Sequence, residues 1–235
     1  MDKVEQIAKE LLKFTNAKSV FLYGSRARTD SYIKSDYEIG VLMTKESYVS
    51  RTEIKNRFNE GGFNIFPFYY EDFIAGHPDT PFQKSIYMHE IVKAGKTLAG
   101  EKVVENLKPP KIRLLDLIQD VRFNLGYALA ATHSYRNGDG ATASFHFFKS
   151  CIFGTRDYIV LKTNNFLISY DDIINASKKL DLQEYKDLPE YAFQIRKRDV
   201  DIDDAKLFQN ISYLNKFIEN ELVSTFKKEG NKILI

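Results

Sequence analysis

The sequence predicts an α+β protein, with a small mixed sheet and flanking helices over residues 1–108 and an antiparallel helical bundle over residues 109–235. Three observations predict it. The strand-like runs SVFLYG, YEIGVLM and FNIFPFYY all fall in the first half of the chain. Lys108-Pro109-Pro110 then makes a stiff break that a helix cannot cross. Beyond the break every long segment carries apolar residues at helical spacing.

Val4, Ile7, Ala8, Leu11, Leu12 and Phe14 fall close to i, i+3, i+4 spacing, so residues 2–16 read as a helix with one buried stripe. SVFLYG follows as a buried strand, and YEIGVLM is the next. Residues 46–59 are polar and read as a helix stopped by Gly61-Gly62. FNIFPFYY is a strand that Pro67 restricts to an edge or a bulge. EDFIAGHPDTPFQKS, with two prolines and a glycine, reads as a loop with at most a short helix, and residues 84–95 as a short helix or strand. In the second half, Leu114, Leu115, Ile118, Val121, Leu125 and Leu129 mark one helix. Ala143, Phe147, Cys151 and the apolar run to Leu161 mark a second, a third starts at Ser169-Tyr170, and Ala205 to Phe226 forms a fourth.

Composition narrows the function. Thirty-four basic and 32 acidic residues leave a net charge of only +2, mixed along the chain, which argues against a surface for long nucleic acid. The single cysteine, Cys151, rules out an intramolecular disulfide and a cysteine-based zinc site and suits a reducing compartment. The start MDKVEQIAKELLKF is amphipathic and charged, and no run of about 18 apolar residues occurs, so a cytoplasmic protein without a membrane partner is expected. Oligomeric state is not legible, and a homodimer stays open.

The segment YGSRARTDSYIKSDYEIGVLM, residues 23–43, carries the chemistry. Gly24 lets the backbone turn sharply and approach a ligand. Ser25 offers a hydroxyl and an N–H to phosphate oxygens, and Arg26 and Arg28 supply positive charge. Asp36 and Glu38, two apart on a strand, project their carboxylates from one face and can share a hard cation such as Mg²⁺. Exposed Asp-x-Glu on a strand is commonly only a solvated face, but acids leading into the buried run IGVLM are costly unless a cation compensates them.

This segment resembles the signature of the DNA polymerase β-like nucleotidyltransferase superfamily, G-S-x-A-x-G followed by S-D-x-D or S-D-x-E. Gly24, Ser25, Ala27, Ser35, Asp36 and Glu38 fill the pattern, while Thr29 stands where the second glycine is usual. The D-x-E ending is closest in style to the kanamycin-type aminoglycoside nucleotidyltransferases. The order of domains also resembles proteins that fuse a minimal nucleotidyltransferase to a HEPN helical domain. The resemblance implies a nucleotidyltransferase fold over residues 1–108, ATP and Mg²⁺ as nucleotide substrate and metal, and Gly24, Ser25, Arg26, Arg28 and Ser35 as nucleotide-binding residues. It implies Asp36 and Glu38 as catalytic metal ligands.

A third acid usually stands on the next strand, where this chain has Asn64. Its carbonyl can ligate a metal, but the side chain carries no charge and accepts no proton. Glu71 and Asp72 lie just beyond; they could reach in from the loop, but an acid pair before a helix reads first as its N-terminal cap. The catalytic base of the kanamycin-type enzymes is a carboxylate on an early helix of the helical domain. Asp120, with Asp116 on the same face, is the candidate here, against the reading that both are solvent-facing acids, and Asn124 is an alternative occupant. His77, His89, His133 and His146 show no metal-ligand spacing. No Arg-x₄₋₆-His occurs, which speaks against HEPN-type RNA cleavage, and IRKRD at 195–199 reads as a solvated helix end.

Two functions compete on these residues. One is transfer of a nucleoside monophosphate, AMP from ATP, to a hydroxyl on a small molecule or protein, with a nucleoside triphosphate and that hydroxyl-bearing acceptor as partners. The other is a catalytically degenerate nucleotide-binding module, antitoxin-like or regulatory, that keeps the cradle and has lost the base.

Overall fold

A computed structural model of the chain describes residues 3–28, 30, 35–58, 61–198 and 202–235. Thr29 and Asp199 lie outside the described residues. The chain divides into two compact units, Met1–Pro110 and Lys111–Ile235.

The first unit runs α1 (Lys3–Thr15), β1 (Ser19–Tyr23), α2 (Ser25–Arg28), β2 (Tyr37–Met43), α3 (Arg51–Arg57), β3 (Phe63–Tyr69), α4 (Tyr70–Ile74), α5 (Lys84–Ala94), β4 (Lys96–Gly100) and α6 (Val103–Asn106). Its four strands form one mixed sheet in the order β3-β2-β1-β4. The β1–β2 and β1–β4 pairs are antiparallel, and β2–β3 is parallel. That parallel pair needs a crossover, which α3 supplies. Ser50 starts α3 with a capping box: its hydroxyl accepts from the Glu53 N–H, and its own N–H donates to the Glu53 carboxylate.

Alternation along β2 sorts the sheet into two cores. Ile39, Val41 and Met43 face α1 and α3, packing with Ile7, Leu11, Val20, Ile54 and Ile65. Leu42 faces the other way, with Phe21, Tyr23, Phe68, Phe73, Met88 and Ile91. Glu38 and Gly40 belong to this second face by parity. Gly40 admits the Phe21 ring, which a Cβ there would overlap. Both faces of the short sheet are therefore covered, and its polar end is where the parity of β2 exposes carboxylates instead of aliphatic groups.

One feature of this unit departs from the sequence reading. The segment read as a short helix or strand is the helix α5, and a strand, β4, that the sequence did not signal follows it. KTLAG has exposed ends, a partly buried middle and no clean alternation, and its place is fixed by pairing with β1 through a bulge at Val20/Phe21.

The second unit consists of α7 (Leu114–Arg136), α8 (Gly140–Thr163), α9 (Tyr170–Ser177), α10 (Leu188–Arg198), α11 (Asp204–Ser212) and α12 (Asn220–Glu229). Residues Tyr213–Glu219 join the last two as a π-helical segment in one continuous rod. The centre of the unit is α8, whose Ala143, Phe147, Cys151, Ile152 and Val160 are fully buried. One side of α8 packs on α9 and α10 through Phe148, Ile159, Tyr170, Ile173, Ile174 and Phe193. Ser169 caps α9 by accepting from the Asp172 N–H. The sequence reading had four helices and passed over α10, which starts at Leu188-Pro189 and buries Ala192, Phe193 and Ile195. Among the described residues no helix is long and apolar enough to cross a membrane.

Candidate functional site

The polar end of the first sheet begins where β1 runs out. Tyr23 is the register partner of Glu38 across the antiparallel pair, so the residue after it meets the Glu38 side chain. That residue is Gly24, at φ +71°, a left-handed conformation that favours glycine. The Gly24 carbonyl accepts from the Ala27 and Arg28 N–H groups at 3.1 and 3.2 Å, which starts α2 at Ser25. A Cβ at Gly24 would run into the Glu38 carboxylate. The turn and the acid are thus in contact, and only glycine lets them be.

Asp36 stands just before β2 and is exposed. Asn64 faces Glu38 in the parallel β2–β3 register, and its Nδ2 donates to Asp36 Oδ2 at 2.8 Å. Asp36, Glu38 and Asn64 therefore share one face of the sheet beside the Gly24 turn. Two carboxylates suit Mg²⁺, which binds through one or two of them plus substrate phosphates. No group of three His, Cys, Asp or Glu side chains able to hold a metal occurs among the described residues. Asn64 has committed an amide hydrogen to Asp36, so its carbonyl oxygen is the atom it could offer a cation.

Both arginines of the signature are engaged by the protein. Arg26 Nε and Nη2 donate to the Ser35 carbonyl at 3.0 and 2.8 Å, and its guanidinium lies 4.7 Å from the Tyr37 ring centroid. Ser35 is itself buried. Arg28, with a side chain only 2% exposed, pairs with Asp30 at 3.2 Å and with Glu90 of α5. The two cations hold the chain on either side of residues 31–34 to the sheet and to α5.

Sequence reasoning missed a pair of tyrosines on this face. Tyr87 of α5 donates its hydroxyl to that of Tyr23 at 3.1 Å. Burial first, then Tyr87 and the charge of Glu38, push the Tyr23 hydroxyl well above the usual phenol range, and burial pushes Tyr87 up as well. Both stay protonated and neutral next to the acids. The two residues are 64 positions apart, and nothing local in the sequence links them.

No protein-family model and no curated protein matches the chain. Solved structures do match it. The spectinomycin adenyltransferase AAD(9) from Enterococcus faecialis, crystallised with ATP and spectinomycin, is 14% identical over 94% of this chain and 97% of its own, with a TM-score of 0.57. The chain has the nucleotidyltransferase fold. A toxin-antitoxin structure with AMP-PNP also matches, 14% identical over 59% of this chain and 98% of that one, with a TM-score of 0.29.

Within a nucleotidyltransferase fold the remaining candidates take distinct places. Glu71 and Asp72 lie in the first turn of α4, where negative charge favours the helix start. Asp116 caps its own helix, accepting from the Arg113 N–H at 2.8 Å. Asp120, against the solvent-facing reading, is 5% exposed. Its Oδ2 accepts from Asn124 Nδ2 at 3.1 Å and lies 3.7 Å from Arg156 Nη2. Asp157, fully buried on α8, receives no hydrogen bond on either carboxylate oxygen from the described residues. Burial and the adjacent Asp120 charge push it well above the usual carboxylate range, so it holds a proton next to Asp120. His89 is buried with Nδ1 3.0 Å from the Pro110 carbonyl, and His146 packs on the Tyr127 ring. His133 sits 3.2 Å from the Asn137 amide.

Proposed function

We propose that the chain transfers AMP from ATP to a hydroxyl of a small molecule or protein. The observation that carries this reading is the contact between the Gly24 turn and the Glu38 carboxylate, with Asp36 and Asn64 on the same face. A phosphate held by the turn and a cation held by the acids are then neighbours by construction. The fold, and the ATP present in the spectinomycin adenyltransferase structure, support the nucleotide half of the reading.

In this reading Gly24 and Ser25 bind the triphosphate through backbone N–H and hydroxyl groups. Arg26 holds the Ser35 carbonyl, and Arg28 pairs with Asp30 and Glu90, so both cations brace the residues next to the turn. Asp36, Glu38 and the Asn64 carbonyl would hold Mg²⁺, which supplies charge neutralisation for the phosphates when bound. The acceptor oxygen forms a bond to the α-phosphorus, the bond from that phosphorus to the bridging oxygen breaks, and pyrophosphate leaves with the electron pair. The hydroxyl proton passes to a carboxylate. The resemblance assigns that role to Asp120, but Asn124 and Arg156 already hold this buried acid. Asp36, exposed and on the acid face, is the better placed.

One observation favours the second reading, a nucleotide-binding module without turnover: Asn64 is neutral and spends its amide on Asp36. Pyrophosphate release with Mg²⁺, ATP and a panel of hydroxyl acceptors separates the two. Transfer predicts release that disappears in Glu38→Ala and changes less than about threefold in Asp120→Asn. Nucleotide binding with no release in wild type, and release gained by roughly tenfold or more in Asn64→Asp, would establish the module instead.

A further inference from the structure

A cleft of about 560 Å³ opens along the outer edge of β3, between that strand and α3. Arg51, Thr52 and Lys55 line it from the helix, Phe63 and Asn64 from the strand, and Phe58 from the end of α3. Neither reading above uses it. Its lining has three properties that together define a ligand.

The first is charge. Arg51 and Lys55 are one helical turn apart on α3, and no carboxylate pairs with either among the described residues. Glu53, the acid between them in sequence, is consumed by the Ser50 cap, while Arg57 turns to the Phe14 ring. No acid lines the cleft among the described residues. Arg51 is also held in place, its guanidinium 4.3 Å from the Phe66 ring centroid. From there its charge reaches the Tyr23 and Tyr87 hydroxyls beside Glu38.

The second property is position. The strand order β3-β2-β1-β4 puts the acids of β2 between the Gly24 turn, at the end of β1, and the cleft, along β3. In-line displacement requires the attacking oxygen and the leaving pyrophosphate on opposite sides of the α-phosphorus. With the triphosphate on the β1 side, the β3 side is the acceptor's side. Asn64 belongs to both, lining the cleft and bonded to Asp36. The third property is the pair of phenylalanine rings, which give an apolar body a surface to lie on.

We infer that this cleft is the acceptor subsite and that it selects a small hydroxyl compound bearing a phosphate or another compact anion, held by Arg51 and Lys55 with its hydroxyl toward Asn64. Among the described lining residues a polycationic acceptor of the aminoglycoside kind meets the like charges of Arg51 and Lys55. The inference rests on the transfer reading for the direction of attack, and on the cleft's own lining for the charge of the ligand.

The test uses the whole chain, first loaded with Mg²⁺ and an unreactive ATP analogue so that the Gly24 turn is filled, and then titrated with inorganic phosphate under nuclear magnetic resonance. Saturable shifts are expected at Arg51, Thr52, Lys55 and Phe63. The double variant Arg51→Gln with Lys55→Gln should weaken phosphate at least about tenfold and leave the affinity for the nucleotide analogue within about twofold. Absence of saturable shifts in the cleft of wild type overturns the inference. So does a nucleotide affinity that falls together with the phosphate affinity, because the cations would then be holding the triphosphate. If wild type binds no nucleotide at all, the transfer reading has failed, and the same titration of the unloaded chain still decides whether the cleft is an anion site.

Discussion

The molecule carries two pairs of carboxylates with opposite surroundings. Asp36 and Glu38 sit at the open, polar end of a sheet, touching a glycine turn and a neutral amide. Asp120 and Asp157 are sealed between α7 and α8, with Arg156 and Asn124 as partners of Asp120 and, among the described residues, no donor to Asp157. A water-facing pair can recruit a cation and phosphates; a sealed pair keeps a proton and is bound to the packing around it. The contrast separates a place for chemistry from a place where charge is confined by the fold. Asp120, the candidate base that the resemblance implies, lies in the second, sealed pair.

Breaking the sealed pair should give the largest effect on stability. Arg156→Met removes the cation 3.7 Å from Asp120 and its stacking on Phe153 and Phe166, at 4.7 and 4.6 Å from their centroids. Urea unfolding should show a loss of about 3 kcal/mol or more, since an acid pair without its cation is left buried. A loss below about 1 kcal/mol would mean that water reaches the pair.

At the open pair the same size of change should appear in function instead. Gly24→Ala forces a Cβ against Glu38 at a positive φ, displacing the turn from the acid. We expect turnover to fall about 10²-fold, with a stability loss of only about 1–2 kcal/mol. Unchanged turnover would show that the turn and the acid need not touch.

The smallest and sharpest effect is on pH dependence. The Asp157 carboxyl has its folded value raised above 3.8, so the native state keeps a proton that the unfolded state releases above that pH. Its contribution to stability is therefore present at acid pH and is lost as pH rises from about 3.8 toward the folded value, with a slope of at most about 1.4 kcal/mol per unit for one proton. Asp157→Asn lacks this loss. Thermal melts from pH 4 to 7 should show the variant gaining on wild type as pH rises, and parallel curves would refute the buried proton.

Legibility in the sequence followed locality. The signature from Gly24 to Glu38 is contiguous, the strands that flank it are nearly continuous apolar runs, and the edge position forced by Pro67 is where β3 lies. What escaped depends on partners distant in the chain. Strand β4 has no alternation and is defined by β1, the Tyr23–Tyr87 contact spans two elements, and α10 hid behind a basic stretch that read as a solvated end. The sealed pair did leave a trace. Arg156-Asp157 interrupts the apolar run that ends near Leu161, and adjacent opposite charges inside a buried helix call for partners. The cleft beside β3 left almost none, because Arg51 and Lys55 look like any exposed helix face until β3 is placed next to them.

The central claim is that the open pair, beside the Gly24 turn, binds a metal-bound nucleotide. Calorimetry of ATP binding, with and without Mg²⁺, on wild type and on the double variant Asp36→Ala with Glu38→Ala measures it most directly. The account predicts binding in wild type that strengthens with Mg²⁺, and loss of that Mg²⁺ dependence in the variant, with circular dichroism unchanged. Equal affinity of the two proteins in the presence of Mg²⁺ would contradict it.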